Sequence, residues 1–215
     1  MAIRYSIITP SRGDRPNALI QALTSVLTSA DHGGIPATEY EVLVGFDGVK
    51  GPQVLVAPQI RYYNFPADND FGNGIRNGLL KAAKGQRILF VDDDNALTLT
   101  AFNTYEKHCG IEMLISRIDV SRAHDKLWLP VIEDGVEPIR QSNIDPLCLC
   151  LTKELVVTRC GGWQGKGYQA DYVNMFRYYR RAKSLKLTDE VVGVYDVGRG
   201  LDESGLNFRQ QALIS

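Results

Sequence analysis

The stretch Arg87–Asn95, RILFVDDDN, decides how the rest of the chain is read. Ile88, Leu89, Phe90 and Val91 form an apolar run too short for a helix and without polar alternation, the pattern of a strand buried in a parallel sheet. Three acids follow directly, Asp92, Asp93 and Asp94. A parallel strand that ends in carboxylates delivers them to the C-terminal edge of its sheet, where open α/β folds bind ligands. Carboxylates this close repel one another and are tolerable only beside a cation, an arginine or solvent. The segment alone therefore reads either as a solvated acidic turn or as a divalent-metal or polyhydroxyl site.

Upstream, strand and helix signals alternate. Arg4–Thr9 reads as a first strand ended by Pro10. The polar turn SRGDRP (11–16) then leads to a helix opened by Pro16, with Leu19, Leu23, Val26 and Leu27 at helical spacing. Glu41–Phe46 is a second strand closed by Asp47-Gly48, and Gln59–Asn64 a third. Gly74–Lys84 reads as a helix with Arg76 and Asn77 near its start and Gly85 as its stop. This alternation predicts a doubly wound α/β half over residues 1–97 with nucleotide-binding geometry. Neither a GxGxxG nor a GxxxxGK[ST] fingerprint is present.

The second half, residues 98–215, is less regular. A helix is expected at Thr100–His108, and strands at Met113–Arg117, Lys126–Pro130, Leu147–Thr152 and Val191–Val197. Asp134-Gly135 signals a hairpin between Leu127–Ile132 and Val136–Ile139. Gly161–Gly167 is a glycine-dense loop, and Asp171–Ala182 a helix packed through Val173, Phe176 and Tyr179. No linker or repeat divides the chain, so 1–215 reads as a single domain.

Composition narrows the class. The 215 residues are 44% hydrophobic, enough for one ordinary core, and a net charge of -1 advertises no nucleic-acid partner. The aromatic and arginine mix of Tyr172–Arg181 reads as a packed helix with snorkelling arginines rather than a nucleic-acid surface. Cys148 and Cys150, at period two, read as buried thiols facing one side of a strand, in keeping with a reducing compartment. The N-terminus does not read as a signal peptide, and no apolar run is long enough to cross a bilayer. The expectation is a cytoplasmic protein without a transmembrane segment, with peripheral membrane contact left open.

The positions of the acids point to chemistry. If Asp47 and Asp92–Asp94 share one sheet edge, they can hold a ribose and a metal-bound diphosphate. Asp94 would be the ligand for Mn2+ or Mg2+, and Arg76 would contact phosphate or orient Asp92. Asp171, between a glycine-rich loop and a helix, could reach in as a base or simply cap that helix. Trp163 could stack on a sugar or anchor a lid.

Taken together, YSIITPSRGDRP, VLVGFDG, GNGIRNGLLKAAKGQRILFVDDD and GGWQGKGYQADYVNMFRY resemble glycosyltransferase family 2, with the GT-A fold. The resemblance implies a Rossmann-like, mostly parallel central sheet flanked by helices, with an acceptor-side second half. It implies Thr9, Pro10 and Asp47 at the nucleotide base, Arg76 beside them, Asp92 at the ribose and Asp94 on the metal. Arg12 and Asp93 join the donor-side set, and Asp171 and Arg177 keep the positions of the family's acid and following arginine. The sequence departs from the family at Phe46, where a second acid is usual, at Ala170, where a Glu is usual, and in GVYDVGRG, which lacks a histidine. Asp196 in that stretch is the candidate substitute as a metal contact.

The implied reaction is metal-dependent, inverting transfer of a sugar from a UDP- or GDP-linked donor to a hydroxyl acceptor, a saccharide or glycoconjugate. Nucleotidyl transfer onto a sugar phosphate would keep the fold, but the first strand lacks a glycine-rich phosphate loop containing lysine. A degenerate nucleotide-sugar-binding or scaffold domain is the third reading, suggested by the departures.

Overall fold

The computed structural model describes residues 2–202. In chain order its elements are β1 (Tyr5–Ser11), α1 (Pro16–His32), β2 (Tyr40–Asp47), β3 (Ile60–Phe65), α2 (Asn73–Ala82), β4 (Arg87–Phe90) and β5 (Ala96–Leu97). There follow α3 (Ala101–Lys107), β6 (Met113–Asp119), β7 (Trp128–Leu129), β8 (Leu149–Thr152), α4 (Ala170–Arg181) and β9 (Leu185–Val194). The strands form one sheet in the order β3-β2-β1-β4-β8-β6-β9-β5, with β7 paired to β6.

The first four strands are parallel, as the βα alternation demands, and Ile7, Ile8, Val42–Val44 and Ile88–Phe90 are buried in their centre. The crossover from β1 to β2 and that from β3 to β4 run in opposite directions across the sheet. Right-handed connections then place α1 and α2 on opposite faces. The strand order reverses between β1 and β4, so the chain leaves these neighbours toward opposite sides and a crevice opens at their C-terminal ends. RILFVDDDN feeds its acids into that crevice.

Several boundaries differ from the sequence reading. Pro10 does not end β1; it lies inside the strand opposite Gly45. It is tolerated because β1 pairs with β4 only as far as Ile8, so its missing N–H falls where the strand has one partner. The sheet is mixed rather than mostly parallel, because β8 runs antiparallel to both β4 and β6, and β5 antiparallel to β9. Ala96–Leu97, assigned to the nucleotide-binding half, thus belong to the far edge of the sheet. The Asp134-Gly135 turn forms, but its flanks do not pair as a hairpin; Trp128–Leu129 pairs with β6 instead. Leu147–Cys148 sits in a short 3-10 turn ahead of β8, so Cys148 and Cys150 do not share a strand, although both are buried. The last strand begins at Leu185 and ends at Val194, with a bulge where it passes β6. Of the second half, residues 203–215 lie outside the described residues.

Helix α4 buries Ala170, Asn174, Met175 and Tyr178 and turns Val173 and Phe176 of the expected face to solvent, while Tyr179 of that face stays partly buried against the core. Asn174 explains the inversion. It accepts from Gln164 N–H at 2.9 Å and donates to the carbonyls of Gln164 at 2.6 Å and Ala170 at 2.8 Å, so a polar residue is fully satisfied inside and fastens the glycine-rich loop. Among the described residues no helix is long and apolar enough to cross a membrane.

Gly85 does not terminate α2, which ends where Ala83 turns extended. Its constraint is proximity: a Cβ there would stand 2.5 Å from the Tyr5 carbonyl carbon and collide with the Ser6 amide. Gly85→Ala should therefore force β1 and the entry to β4 apart. The expected cost is about 2 kcal/mol, a drop of roughly 4–8 °C in the thermal midpoint. An unchanged midpoint by calorimetry would show that the backbone can yield here.

Candidate active site

Parallel pairing brings the ends of β1, β2 and β4 to one edge, and a cleft of about 290 Å³ opens there. It is lined by Pro10, Ser11, Arg12, Arg15, Asp47, Phe71, Gly72, Ile75, Arg76, Asp92–Asp94, Gly167, Tyr168, Asp171 and Tyr195. Its size lies near the lower end of the range of small-molecule pockets, roughly 300–1,000 Å³. Five carboxylates thus meet three guanidiniums across the lining, an excess of negative charge.

Two arginines make the acid triplet tolerable. Arg15, just ahead of α1, donates through one nitrogen to Asp93 and through the other to Asp94 at 2.5 Å. Ser11 donates to the second oxygen of Asp93 at 2.6 Å. Asp93 is fully buried by these partners, and burial pushes its carboxyl up to about 7 against the pull of Arg15. Arg76, on the first turn of α2, donates from Nη2 to both oxygens of Asp92 at 2.7 Å, and from Nη1 to the Phe71 carbonyl at 2.8 Å. Its guanidinium lies 5.1 Å from the Trp163 ring centroid.

Asp47 accepts backbone N–H from Asp68 at 2.6 Å and Asn69 at 3.2 Å, which folds the loop between β3 and α2 over the cleft. That loop is tied to the glycine-rich loop opposite. Asp70 accepts from Gly167 N–H at 2.6 Å, and Asn73 donates to the Gly167 carbonyl at 3.2 Å. Asn73 also accepts from Trp163 Nε1 at 2.9 Å. At 2% exposure and packed on Phe90, Trp163 has no face open to a sugar; it is an anchor beneath the cleft. Arg177 likewise fastens the loop, donating to Gln164 Oε1 at 2.7 Å, Gly162 O at 2.8 Å and Asn174 Oδ1 at 2.5 Å.

Asp171 opens α4 and lines the cleft, and among the described residues its carboxylate accepts no hydrogen bond, so it does not serve as the helix cap. Burial raises its pKa; Arg76 opposes the rise and Asp92 adds to it. Thr9 is buried below the cleft floor, while Pro10 and Ser11 line it. Arg12 is at the rim, 2.9 Å from Asp14. Asp196, at 1% exposure, is behind the wall with an oxygen 2.5 Å from Arg199, and Tyr195 takes the lining position. The Asp196 turn, with φ 61 at that residue, is pinned by its N–H to Asn95 Oδ1 at 2.9 Å and by Gly198 N–H to the Asp94 carbonyl at 2.9 Å. Asp202 then accepts from the N–H groups of Asn17 and Ala18, at 3.1 and 3.0 Å, and caps the start of α1.

Sequence reasoning missed Arg15, Asp70, Asn73 and Asp145. Asp145 accepts from Leu147 N–H at 2.9 Å. Burial, with the charges of Asp92 and Asp171, pushes its carboxyl up to about 8 despite that bond and Arg76. Among the described residues no group of three His, Cys, Asp or Glu could by itself enclose a metal ion. The donor set still fits a hard cation held by one or two carboxylates and completed by substrate phosphate and water, the usual manner for Mg2+. The uncompensated acids of the lining favour a cation there.

No protein-family profile matches the sequence, and no curated protein does. The fold is similar to that of S. aureus TarS 1–349, with a TM-score of 0.73 at 16% identity, over 90% of this chain and 60% of that one. TarS 1–349 in complex with UDP-GlcNAc gives 0.75 at 15% identity, over 98% and 61%. The mannosyltransferase PcManGT from Pyrobaculum calidifontis, in complex with GDP-Man and Mn2+, gives 0.64 at 16% identity, over 93% and 59%. The chain spans about three fifths of the length of these structures. The likeness is one of fold: a mixed α/β, Rossmann-like domain shared with proteins solved with nucleotide sugars.

The raised Asp145 pKa has a sign that can be measured. The folded protein keeps a proton that the unfolded chain releases near pH 4. Stability from this group is complete below that pH and is lost as the pH rises toward about 8. Asp145→Asn retains an acceptor for Leu147 N–H and cannot ionise. Its unfolding free energy in urea should gain on the wild type's by about 1 kcal/mol or more between roughly pH 5 and pH 8. A gap independent of pH would mean that Asp145 ionises as in water.

Proposed function

We propose that the chain is a GT-A type glycosyltransferase that moves a sugar from a UDP- or GDP-linked donor to a hydroxyl acceptor with inversion. The observation that carries this reading is the convergence of Asp47, the Arg76–Asp92 pair, Asp94 and Asp171 on one cleft at the strand-order reversal. The fold shared with proteins solved with UDP-GlcNAc and GDP-Man supports it.

In this reading Pro10, Arg12 and Asp47 flank the nucleoside, and Asp92, oriented by Arg76, meets the ribose. Asp93 acts beneath the donor, through Arg15. Asp94 would hold Mn2+ or Mg2+, which when bound neutralises charge on the diphosphate. The acceptor oxygen forms a bond to the anomeric carbon as the bond to the diphosphate oxygen breaks, and the hydroxyl proton passes to Asp171. Burial suits Asp171 to that task, because a raised pKa brings a carboxylate closer to the strength of a useful base. With Ala170 beside it, Asp171 does this without a second acid in the pair.

Calorimetric titration of UDP and GDP with and without Mn2+ tests the donor side. Wild-type protein should bind one of the two with the metal present, and Asp94→Ala should lose that binding. Binding of neither nucleotide would overturn the assignment. For the base, Asp171→Asn should keep donor affinity while nucleoside diphosphate release from the donor sugar falls about 10²–10⁴-fold. A variant that turns over normally would remove Asp171 from the chemistry.

A further inference from the structure

The proposed base has no side-chain grip of its own. Among the described residues the Asp171 carboxylate accepts no hydrogen bond, and Ala170 beside it is buried and apolar. Where the carboxylate stands is therefore set by the backbone that opens α4. That opening is built on Gly167, whose carbonyl accepts the Ala170 N–H at 3.1 Å. Gly167 is itself held from across the cleft through both of its backbone groups. Its N–H donates to Asp70 Oδ1 at 2.6 Å, and its carbonyl also accepts from Asn73 Nδ2 at 3.2 Å. Gly167 holds φ 77 with nothing within 4 Å of where a Cβ would sit, so glycine serves the backbone shape here rather than close packing.

The holding pair is firmly mounted. The Asp70 carbonyl accepts the Asn73 N–H at 2.9 Å. Asn73 is buried and also accepts from the buried Trp163 Nε1 at 2.9 Å. It begins the turn of α2 on which Arg76 holds Asp92. One helical turn thus reaches the acid triplet through Arg76 and the start of α4 through Asn73. We infer that Asp70 and Asn73 are positioning residues for the base, fixing through Gly167 where α4 begins and so where Asp171 stands relative to the Arg76–Asp92 pair. The role given to Asp171 rests on the transferase reading; the tie to Gly167 does not. Misplacing a reacting group by about 1 Å can cost about 10²-fold in rate, so bonds this far from the chemistry bear on it.

The charges of Arg76 and Asp92 act on Asp171, and Asp145 is coupled to it, but burial is the largest influence and raises its pKa. Loosening the start of α4 admits water and lowers it. The test is a 13C NMR titration of the Asp171 carboxyl in wild type, Asp70→Ala, Asn73→Ala and Asp70→Asn. UDP and GDP calorimetry with Mn2+, and nucleoside diphosphate release from UDP-glucose and GDP-mannose, are run on the same samples. In both alanine variants the Asp171 midpoint should fall toward that of a solvated aspartate, about 4. Release should drop about tenfold or more while nucleotide affinity holds within about twofold. Asp70→Asn keeps an acceptor for the Gly167 N–H and should behave as wild type in all three measurements. An Asp171 midpoint common to all four proteins would overturn the positioning role. Nucleotide affinity that falls together with release would overturn it too, by assigning the pair to the donor. Failure of wild type to bind either nucleotide would strike instead at the transferase reading, while the titration still decides whether Asp70 and Asn73 hold Asp171 in place.

Discussion

Everything at the cleft depends on the cost of placing three carboxylates in a row at the end of a buried strand. Without compensation the triplet could not fold, since each charge would meet its neighbours in a poorly solvated corner. Arg15 and Arg76 divide the task from opposite sides. One reaches from the start of α1 to Asp93 and Asp94, the other from α2 to Asp92. Because the two helices lie on opposite faces of the sheet, the acids also lock both layers to the strand between them. Charge balance and tertiary architecture are here a single requirement.

Across the lining the compensation is incomplete, with five carboxylates to three guanidiniums. Asp93 is spent inside, held by Ser11 and Arg15. Asp92 and Asp94 keep a side toward the cleft, and Asp47 and Asp171 add to the negative lining. A diphosphate entering such a lining alone would be repelled, whereas a diphosphate with a divalent cation would be drawn in. In the proposed reading, the lining favours the metal complex of a nucleotide over the free one.

The sequence made local features legible because they are written in neighbouring residues. RILF followed by DDD, EVLVGF followed by DG, and Pro16 ahead of an apolar helical period all fold as periodicity predicts. What escaped was set by partners distant along the chain. Arg15 looked like a turn residue because its acids lie nearly eighty positions on. Asp70 and Asn73 carry no local signal, because the groups they answer are Gly167 and Trp163. The antiparallel course of β8 has no signature in LCLT itself. Helix α4 was inverted for a more instructive reason: hydrophobicity put Val173 and Phe176 inside, but a buried asparagine with four hydrogen bonds outranked them.

The turn around Asp196 carries a consequence for how the cleft responds to change at a distance. Residues 95 and 196, 94 and 198, and 17 and 202 are joined by hydrogen bonds, so the end of the described chain stitches the last acid of the triplet to the start of the helix that bears Arg15. Gly198 is wedged so closely between Ala18 and Asp94 that no side chain could fit there. A side chain placed at Gly198 would therefore press on α1 and on the backbone of Asp94 at the same time.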